Sequence, residues 1–296
     1  MQLAALPGPS PQPSPRKWGE GARGLRALLA TIAALLFAFA AHADPAPNFW
    51  DPALHLERPD LSGLRAIRFL TADDYPPLNF VRGYGDLAGF NVEIARGVCE
   101  ELHMPCTVQA RRFDTLVDAL QTGKGDAVAA SIASTPALRE TLDFSAPYYK
   151  TPARFVTRKT SQLGDATPQT LAGRNVGVVS GSAHEAYLRT FFPAVRPTTF
   201  PSVVELLKAL TSGAVEAAFG DGLTFAVWLA GEQSFDCCVF KGGPYSESRF
   251  FGEGVGIAVR KEDAPLRQAI DWALARMAQR GLYAEIYRKY FPVGFY

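Results

Sequence analysis

The chain has 296 residues, 48% of them hydrophobic, and its formal net charge is +1. This length allows one or two domains with a substantial hydrophobic core. A nearly neutral chain has no basic surface field, so we expect no nucleic-acid partner. Its histidines and cysteines lack the spacing of a zinc site, and we expect no metal or other cofactor.

Residues 1–43 have the features of a signal region for export. Arg23 and Arg26 form a positive start, residues 27–40 are apolar, and Ala41-His42-Ala43 provides a small-x-small cleavage site. An uncleaved membrane anchor is the alternative, although the apolar run is short for a bilayer span. We therefore expect export and cleavage, which would leave a periplasmic protein.

Two further segments stand outside the predicted fold. Residues 6–21 are rich in Pro, Gly and Ser, which is unusual ahead of a signal peptide and could reflect a misassigned upstream start. Residues 44–62 form a Pro-rich lead before the first predicted strand, and the sequence assigns no role to them.

Beyond the lead, predicted strands and helices alternate in two series. The first has strands at 67–71, 107–111 and 127–130, with helices at 91–102 and 113–122. The second has strands at 175–179, 198–200 and 217–220, with helices at 183–191, at 202–210 and up to residue 230. Such alternation is typical of parallel sheets flanked by helices. Two series in one chain predict two α/β lobes.

Two strand-like segments, 153–158 and 254–260, are placed to connect the series, and helices at 265–280 and 282–290 close the chain. Lobe 1 would then comprise residues 63–152 plus 259–296, with residues 153–258 inserted as lobe 2. Two connecting segments would form a hinge, and a ligand would bind in the cleft between the lobes.

The four cysteines fall into two pairs. Cys99 lies near the end of a predicted helix and Cys106 enters the next strand, so the reversal between them can bring both within disulfide range. An oxidising periplasm would keep that bond closed. Cys237 and Cys238 are adjacent, where a disulfide would be strained, and we expect two free thiols.

The segment 126–149, DAVAASIASTPALRETLDFSAPYY, runs from a strand ending in small residues to a helix start with a nearby arginine, an arrangement suited to an anion. Its order of Asp-Ala, small residues, Thr-Pro, Arg and Asp-Phe-Ser-x-Pro-Tyr resembles the amino-acid type of bacterial periplasmic solute-binding proteins. Residues 89–95, GFNVEIA, resemble that family's Gly-Phe-Asp-x-Asp-Leu-Ala helix start, with Asn91 as the helix cap. The resemblance covers residues 67–291. It implies a periplasmic-binding-protein-like α/β fold of two lobes joined by a two-segment hinge.

In lobe 1 the resemblance implies that Tyr75 and Phe113 hold the ligand between aromatic faces. A solvated loop tyrosine and a core phenylalanine are the alternatives. Further contacts are implied after the third strand, at Ala130, Ser131 and Ala133. Arg139 would bind a carboxylate, although it comes one residue later than the family's Thr-x-x-Arg spacing. One helical residue turns a side chain by about 100°, so a surface cation is the alternative.

In lobe 2 the resemblance implies that Ser182 and Ala183, at a strand-to-helix turn, meet a ligand carboxylate at the helix N-terminus. Asp221 matches the aspartate that pairs with a ligand's α-ammonium, and a helix N-cap is the alternative. Ala72 stands where relatives with polar ligands often carry Asp, which argues against a strongly cationic ligand side chain such as that of arginine.

The resemblance implies that the protein captures a small polar solute, most simply an amino acid, for an inner-membrane ABC permease, and acts as a monomer. One alternative is an enzyme similar to cyclohexadienyl dehydratases, with Asp221 or Glu253 as a general acid. Another is an accessory or sensory protein, for example one serving a periplasmic quinoprotein dehydrogenase. We predict no catalysis, because pairing with an ammonium group explains Asp221 without chemistry and no Ser-His-Asp or Cys-His arrangement supports hydrolysis. The histidines lie outside the predicted site: His42, His55, His103 and His184.

Overall fold

The computed structural model describes residues 46–51 and 56–296, and only the backbone of Tyr84. The predicted signal region lies outside the described residues, and the lead is described in part. No helix in these ranges is both long enough and apolar enough to cross a membrane.

Strands and helices alternate along most of the described chain. The strands are β1 (Ile67–Thr71), β2 (Asp74–Tyr75), β3 (Asn79–Val81), β4 (Leu87–Ala88), β5 (Cys106–Ala110), β6 (Ala127–Val128), β7 (Leu142–Phe144), β8 (Ala153–Arg158), β9 (Asn175–Val179), β10 (Arg196–Phe200), β11 (Ala217–Asp221), β12 (Cys238–Tyr245) and β13 (Ala258–Arg260). The α-helices are α1 (Phe90–Leu102), α2 (Leu116–Gln121), α3 (Pro136–Thr141), α4 (Ala183–Phe191), α5 (Val203–Ser212), α6 (Gly222–Ala230), α7 (Ser248–Phe251), α8 (Ala264–Gln279) and α9 (Leu282–Tyr290). Short 3-10 turns lie at Gly83–Gly85, Phe113–Thr115 and Glu232–Ser234.

Two five-stranded sheets carry the architecture. The first has the order β5-β1-β6-β13-β7, and β1 runs parallel to both β5 and β6. The second has the order β10-β9-β11-β8-β12, and β9 runs parallel to both β10 and β11. Each predicted series therefore builds one sheet with a parallel core, and the prediction of two α/β lobes is confirmed.

Antiparallel strands complete both sheets. β8 pairs with β11 and β12, whereas β13 pairs with β6 and β7 of the first sheet. The predicted connecting strand at 254–260 is shorter than expected, since β13 begins only at Ala258. Ahead of it, Val255 forms isolated bridges to Ala133 and Tyr149. The residue limits of the two lobes stay a prediction.

The first lobe's core lies between α1 and the C-terminal helices. On α1, Phe90, Ile94 and Val98 are fully buried at four-residue spacing, which places them on one face. Gly97 permits close packing there, because a Cβ atom at this position would lie 2.4 Å from Cε of Met277. The same core receives part of the lead: the Trp50 ring lies 5.0 Å from that of Tyr283.

Both cysteine pairs form disulfides. Cys99 at the end of α1 is bonded to Cys106 at the start of β5, with their Cα atoms 6.0 Å apart. Cys237 is bonded to Cys238, so our prediction of two free thiols there was wrong. Neighbouring side chains within a strand point to opposite faces of the sheet, so two adjacent cysteines inside a strand could not bond to each other. Here β12 begins at Cys238, and Cys237 precedes the strand, so this restriction does not apply. The chain bends sharply just before Cys237, where Phe235 and Asp236 have φ near +50°.

Candidate functional site

The predicted contacts lie where strands of both sheets end, the position at which α/β sheets usually bind ligands. Tyr75 follows β1, and its side chain is 51% exposed. Phe113 follows β5 in a 3-10 turn and is 52% exposed, which is too open for a core residue. Both aromatic faces are therefore available to a ligand.

A buried polar network holds the loop after β6. The Asn91 amide donates to Oδ1 of Asn79 and to Oγ of Ser131, at 2.8 Å each, and its Oδ1 accepts from the Tyr148 hydroxyl at 2.7 Å. The prediction that Asn91 caps the helix was wrong, because α1 begins one residue earlier and Asn91 is fully buried. Ser131 has φ of +62°, an uncommon conformation for a residue other than glycine, and the network stabilises it.

The two alanines of this loop differ in exposure. Ala130 is buried, so its contribution to a ligand would come from the backbone. Ala133 is exposed and forms the bridge to Val255 described above. Neither supplies a side-chain polar group, so Ser131 provides the only hydroxyl among the three predicted contacts in this loop.

Asp221 is both a helix cap and the acidic group of the site. Its Oδ1 accepts from the backbone N–H and from the hydroxyl of Thr224, at 2.7 Å each, which caps α6. Its Oδ2 makes no hydrogen bond to the part of the chain that the structure describes. The capping role and a role in ligand binding use different oxygens and are therefore compatible.

Several side chains lie within electrostatic range of Asp221. The pKa of the Tyr75 phenol is raised by burial and then by the charge of Asp221. Burial raises the pKa of Tyr149 strongly, a hydrogen bond to Ser131 acts against this, and the charges of Tyr75 and Asp221 add to the rise. Contacts predicted from both lobes are thus electrostatically coupled.

His184 also belongs to this group, contrary to our expectation that it lies outside the site. Burial lowers the pKa of its imidazole, and the charge of Asp221 opposes that shift. The ring stacks on Phe251 at 5.1 Å and meets the edge of Phe219 at 6.0 Å. Its Nε2 is buried without a hydrogen-bond partner among the described residues. The sequence did contain a signal that His184 lies near the site, because it directly follows the predicted contact Ala183 in the first turn of α4.

The N-terminus of α4 is partly occupied by the chain itself. The Ser182 hydroxyl accepts from the N–H of Glu185 at 3.1 Å and donates to the carbonyl of Val179 at 2.7 Å. The N–H of Gly181 donates to the Glu185 carboxylate at 2.8 Å. The N–H of Ala183 has no acceptor within the described ranges, so it remains open to a ligand.

Arg139 lies apart from this group. Its guanidinium is 3.4 Å from the Glu253 carboxylate and 5.9 Å from the centre of the Phe144 ring. It lines a cavity of about 330 Å³ together with Lys150 and Glu253, and neither Tyr75 nor Asp221 borders that space. The described residues contain no cluster of His, Cys, Asp or Glu that could hold a metal ion.

Residues 67–293 match the family model described as bacterial extracellular solute-binding proteins, family 3. The L-arginine-binding protein of Pseudomonas aeruginosa is 32% identical over 243 residues, which cover 81% of this chain and 93% of that protein. The lysine/arginine/ornithine-binding periplasmic protein of Escherichia coli is 28% identical, with coverage of 78% and 89%. Among solved structures, an ancestral cationic amino acid solute binding protein is similar with a TM-score of 0.60 and 26% identity, covering 78% of this chain and 97% of the other.

Proposed function

Because this chain belongs to family 3 of the bacterial extracellular solute-binding proteins, we propose that it captures a small solute bearing an amino group, most simply an amino acid, and delivers it to an ABC permease. The single observation that carries the chemistry is Asp221, whose free Oδ2 lies within electrostatic range of Tyr75. A carboxylate with one oxygen fixed by a helix and the other free is well placed to accept from an ammonium group. The relatives described above are amino-acid-binding proteins, which supports transport over catalysis and over an accessory role.

The proposed contacts come from both lobes. Tyr75 and Phe113 would cover the two faces of the ligand, and Asp221 would accept from its amino group. The remaining contacts would be the loop after β6 and the start of α4, at Ala130, Ser131, Ala133, Ser182 and Ala183. We leave Arg139 out of this set because its guanidinium lies against Glu253.

Capture would involve closure of the lobes about the segments that contain β8 and β13. The protein would act as a periplasmic monomer after removal of residues 1–43. Small-angle X-ray scattering with saturating ligand is expected to show a smaller radius of gyration than without it. An unchanged radius at saturation would contradict capture by closure.

The function is tested by a thermal-shift screen of amino acids, amines and organic acids on the mature protein, followed by calorimetry on each hit. We expect hits among compounds that carry an amino group and none among organic acids that lack one. Hits confined to organic acids would overturn the assignment of Asp221.

A further inference from the structure

The proposed site offers an ammonium group a charged partner, whereas the partners that it offers a carboxylate are neutral. Asp221 keeps one oxygen free, and the exposed Asp73 and Asp74 directly precede Tyr75. His184 adds no positive charge at neutral pH, since burial lowers its pKa. Asp221 is the charged side chain that acts on the Tyr75 phenol, and an exposed aromatic face such as that of Tyr75 also attracts cations.

The groups that would bind a carboxylate in the second lobe are largely occupied. The Gly181 N–H already donates to a carboxylate of the chain, that of Glu185, which is itself paired with Arg189 at 2.7 Å. The Ser182 hydroxyl is engaged both as donor and as acceptor. The N–H groups of Ala183 and His184 have no acceptor among the described residues, but both are neutral, and hydrogen bonds from neutral donors are about half as strong as charge-assisted ones.

Arg139 of the first lobe does not supply the missing charged partner for a carboxylate. Arg139 lies against Glu253 in a cavity that borders neither Tyr75 nor Asp221. The ion pair between Arg139 and Glu253 is exposed and therefore individually weak. Arg139 is excluded from the site by its position away from Tyr75 and Asp221, not by the strength of this ion pair. The charge of Asp221 acts on the phenols of both Tyr75 and Tyr149, and no such effect of Arg139 is found on either.

From these placements we infer that the amino group alone carries charged recognition, so that the protein also takes primary amines that lack an α-carboxylate. This inference rests on the proposed function, because Asp221 is the same residue in both. The inference differs from the proposed function in one respect: a ligand need not be a zwitterion. A decarboxylated amino acid retains the ammonium group and the side chain, and loses only the group for which the site has neutral partners alone.

Matched pairs test this directly. Calorimetry on the mature protein would compare L-phenylalanine with phenethylamine, L-histidine with histamine, L-lysine with cadaverine and L-arginine with agmatine. We expect the amine of the best-binding pair to bind within tenfold of its amino acid or more tightly. If every amine binds more than tenfold more weakly than its amino acid, the inference is overturned while the proposed function stands. If neither these eight compounds nor any other amino-group compound of the thermal-shift screen binds, the proposed function itself is overturned.

Two variants separate the charged groups, with the best-binding pair as probes. Asp221→Asn keeps an oxygen that can cap α6 and should weaken binding of both members more than tenfold. Arg139→Gln should change neither affinity by more than threefold. A loss of more than tenfold for the amino acid alone in Arg139→Gln would show that the guanidinium binds the carboxylate, against the inference.

Discussion

The two lobes contribute different chemistry to the same cleft. In the second lobe, α6 begins directly after β11 and α4 begins after a short turn that follows β9, and Asp221 is fixed by the cap that it provides. In the first lobe, the loop after β6 is held by the buried amide of Asn91, and it carries small or neutral side chains. On the proposed function, charge recognition would come from the second lobe, and the first would supply shape and aromatic surface.

Removing the Asn91 side chain should have the largest effect on stability. Asn91→Ala leaves Asn79, Ser131 and Tyr148 without their shared partner, and buried polar groups without partners are costly. We expect a loss of about 3 kcal/mol in the free energy of unfolding, measured by urea denaturation. Asn175→Ala, at an exposed asparagine of the second lobe, is the matched control and should change stability by less than ~0.5 kcal/mol. Equal losses in both variants would remove the distinction between the lobes.

Asp221→Asn should instead affect binding. Loss of a charge-assisted hydrogen bond of roughly 1.5–3 kcal/mol predicts a ~10–100-fold weaker affinity by calorimetry. Ser202→Ala removes another N-cap of the same lobe and should cost ~1 kcal/mol of stability with unchanged affinity. A binding defect of similar size in Ser202→Ala would mean that helix capping, not the charge of Asp221, determines affinity.

Each lobe contains one disulfide, so the stability lost on removing each bond can be compared. Replacing Cys99 and Cys106 by serine should cost about 2 kcal/mol, because the bond closes a short loop. The same change at Cys237 and Cys238 should cost less, because a bond between neighbours restricts the unfolded chain least. Intact-mass analysis after alkylation should find no labelled cysteine before reduction and four afterwards, since all four are paired. Two labels before reduction would contradict the Cys237–Cys238 bond.

Acidification should have the smallest effect. The pKa of His184 is lowered from 6.5 in the folded protein by burial, so the unfolded chain takes up this proton first. The free energy of unfolding should therefore fall as the pH decreases below about 6.5. Amine affinity should fall at lower pH still, once the imidazole of the folded protein becomes charged and competes for Asp221. His184→Gln should flatten both profiles below about pH 6.5, and an unaltered affinity profile would show that His184 does not act on the ligand.

Local signals in the sequence predicted much of the fold. The strands β8 and β9 and the helices α4 and α9 have the predicted limits. These two strands are short runs rich in β-branched residues, and the two helices follow the cap residues Ser182 and Gly281. The family resemblance is confirmed by the match over residues 67–293. The two-residue strands β2 and β4 escaped prediction because so short a segment carries no periodicity.

The site was less accessible to sequence reasoning. Asn91 binds partners 12, 40 and 57 residues away in the chain, and no local pattern indicates such contacts. The pairing of β9 with β11 brings His184 and Asp221 together. Which strands pair cannot be read from the sequence around either residue. For the same reason the environment of Arg139 could not be predicted: its partner Glu253 lies 114 residues further along.

The two ends of the described chain also bear on how the lobes could move. The Tyr296 hydroxyl accepts from the N–H of Lys150 at 2.6 Å and donates to the carbonyl of the same residue. Phe49 packs on that tyrosine ring at 5.4 Å. Bending at Lys150 would break both hydrogen bonds, whereas rotation at Thr151 or Pro152 leaves them intact. If the lobes close as proposed, the aromatic side chain of Tyr296 fixes the position of the pivot.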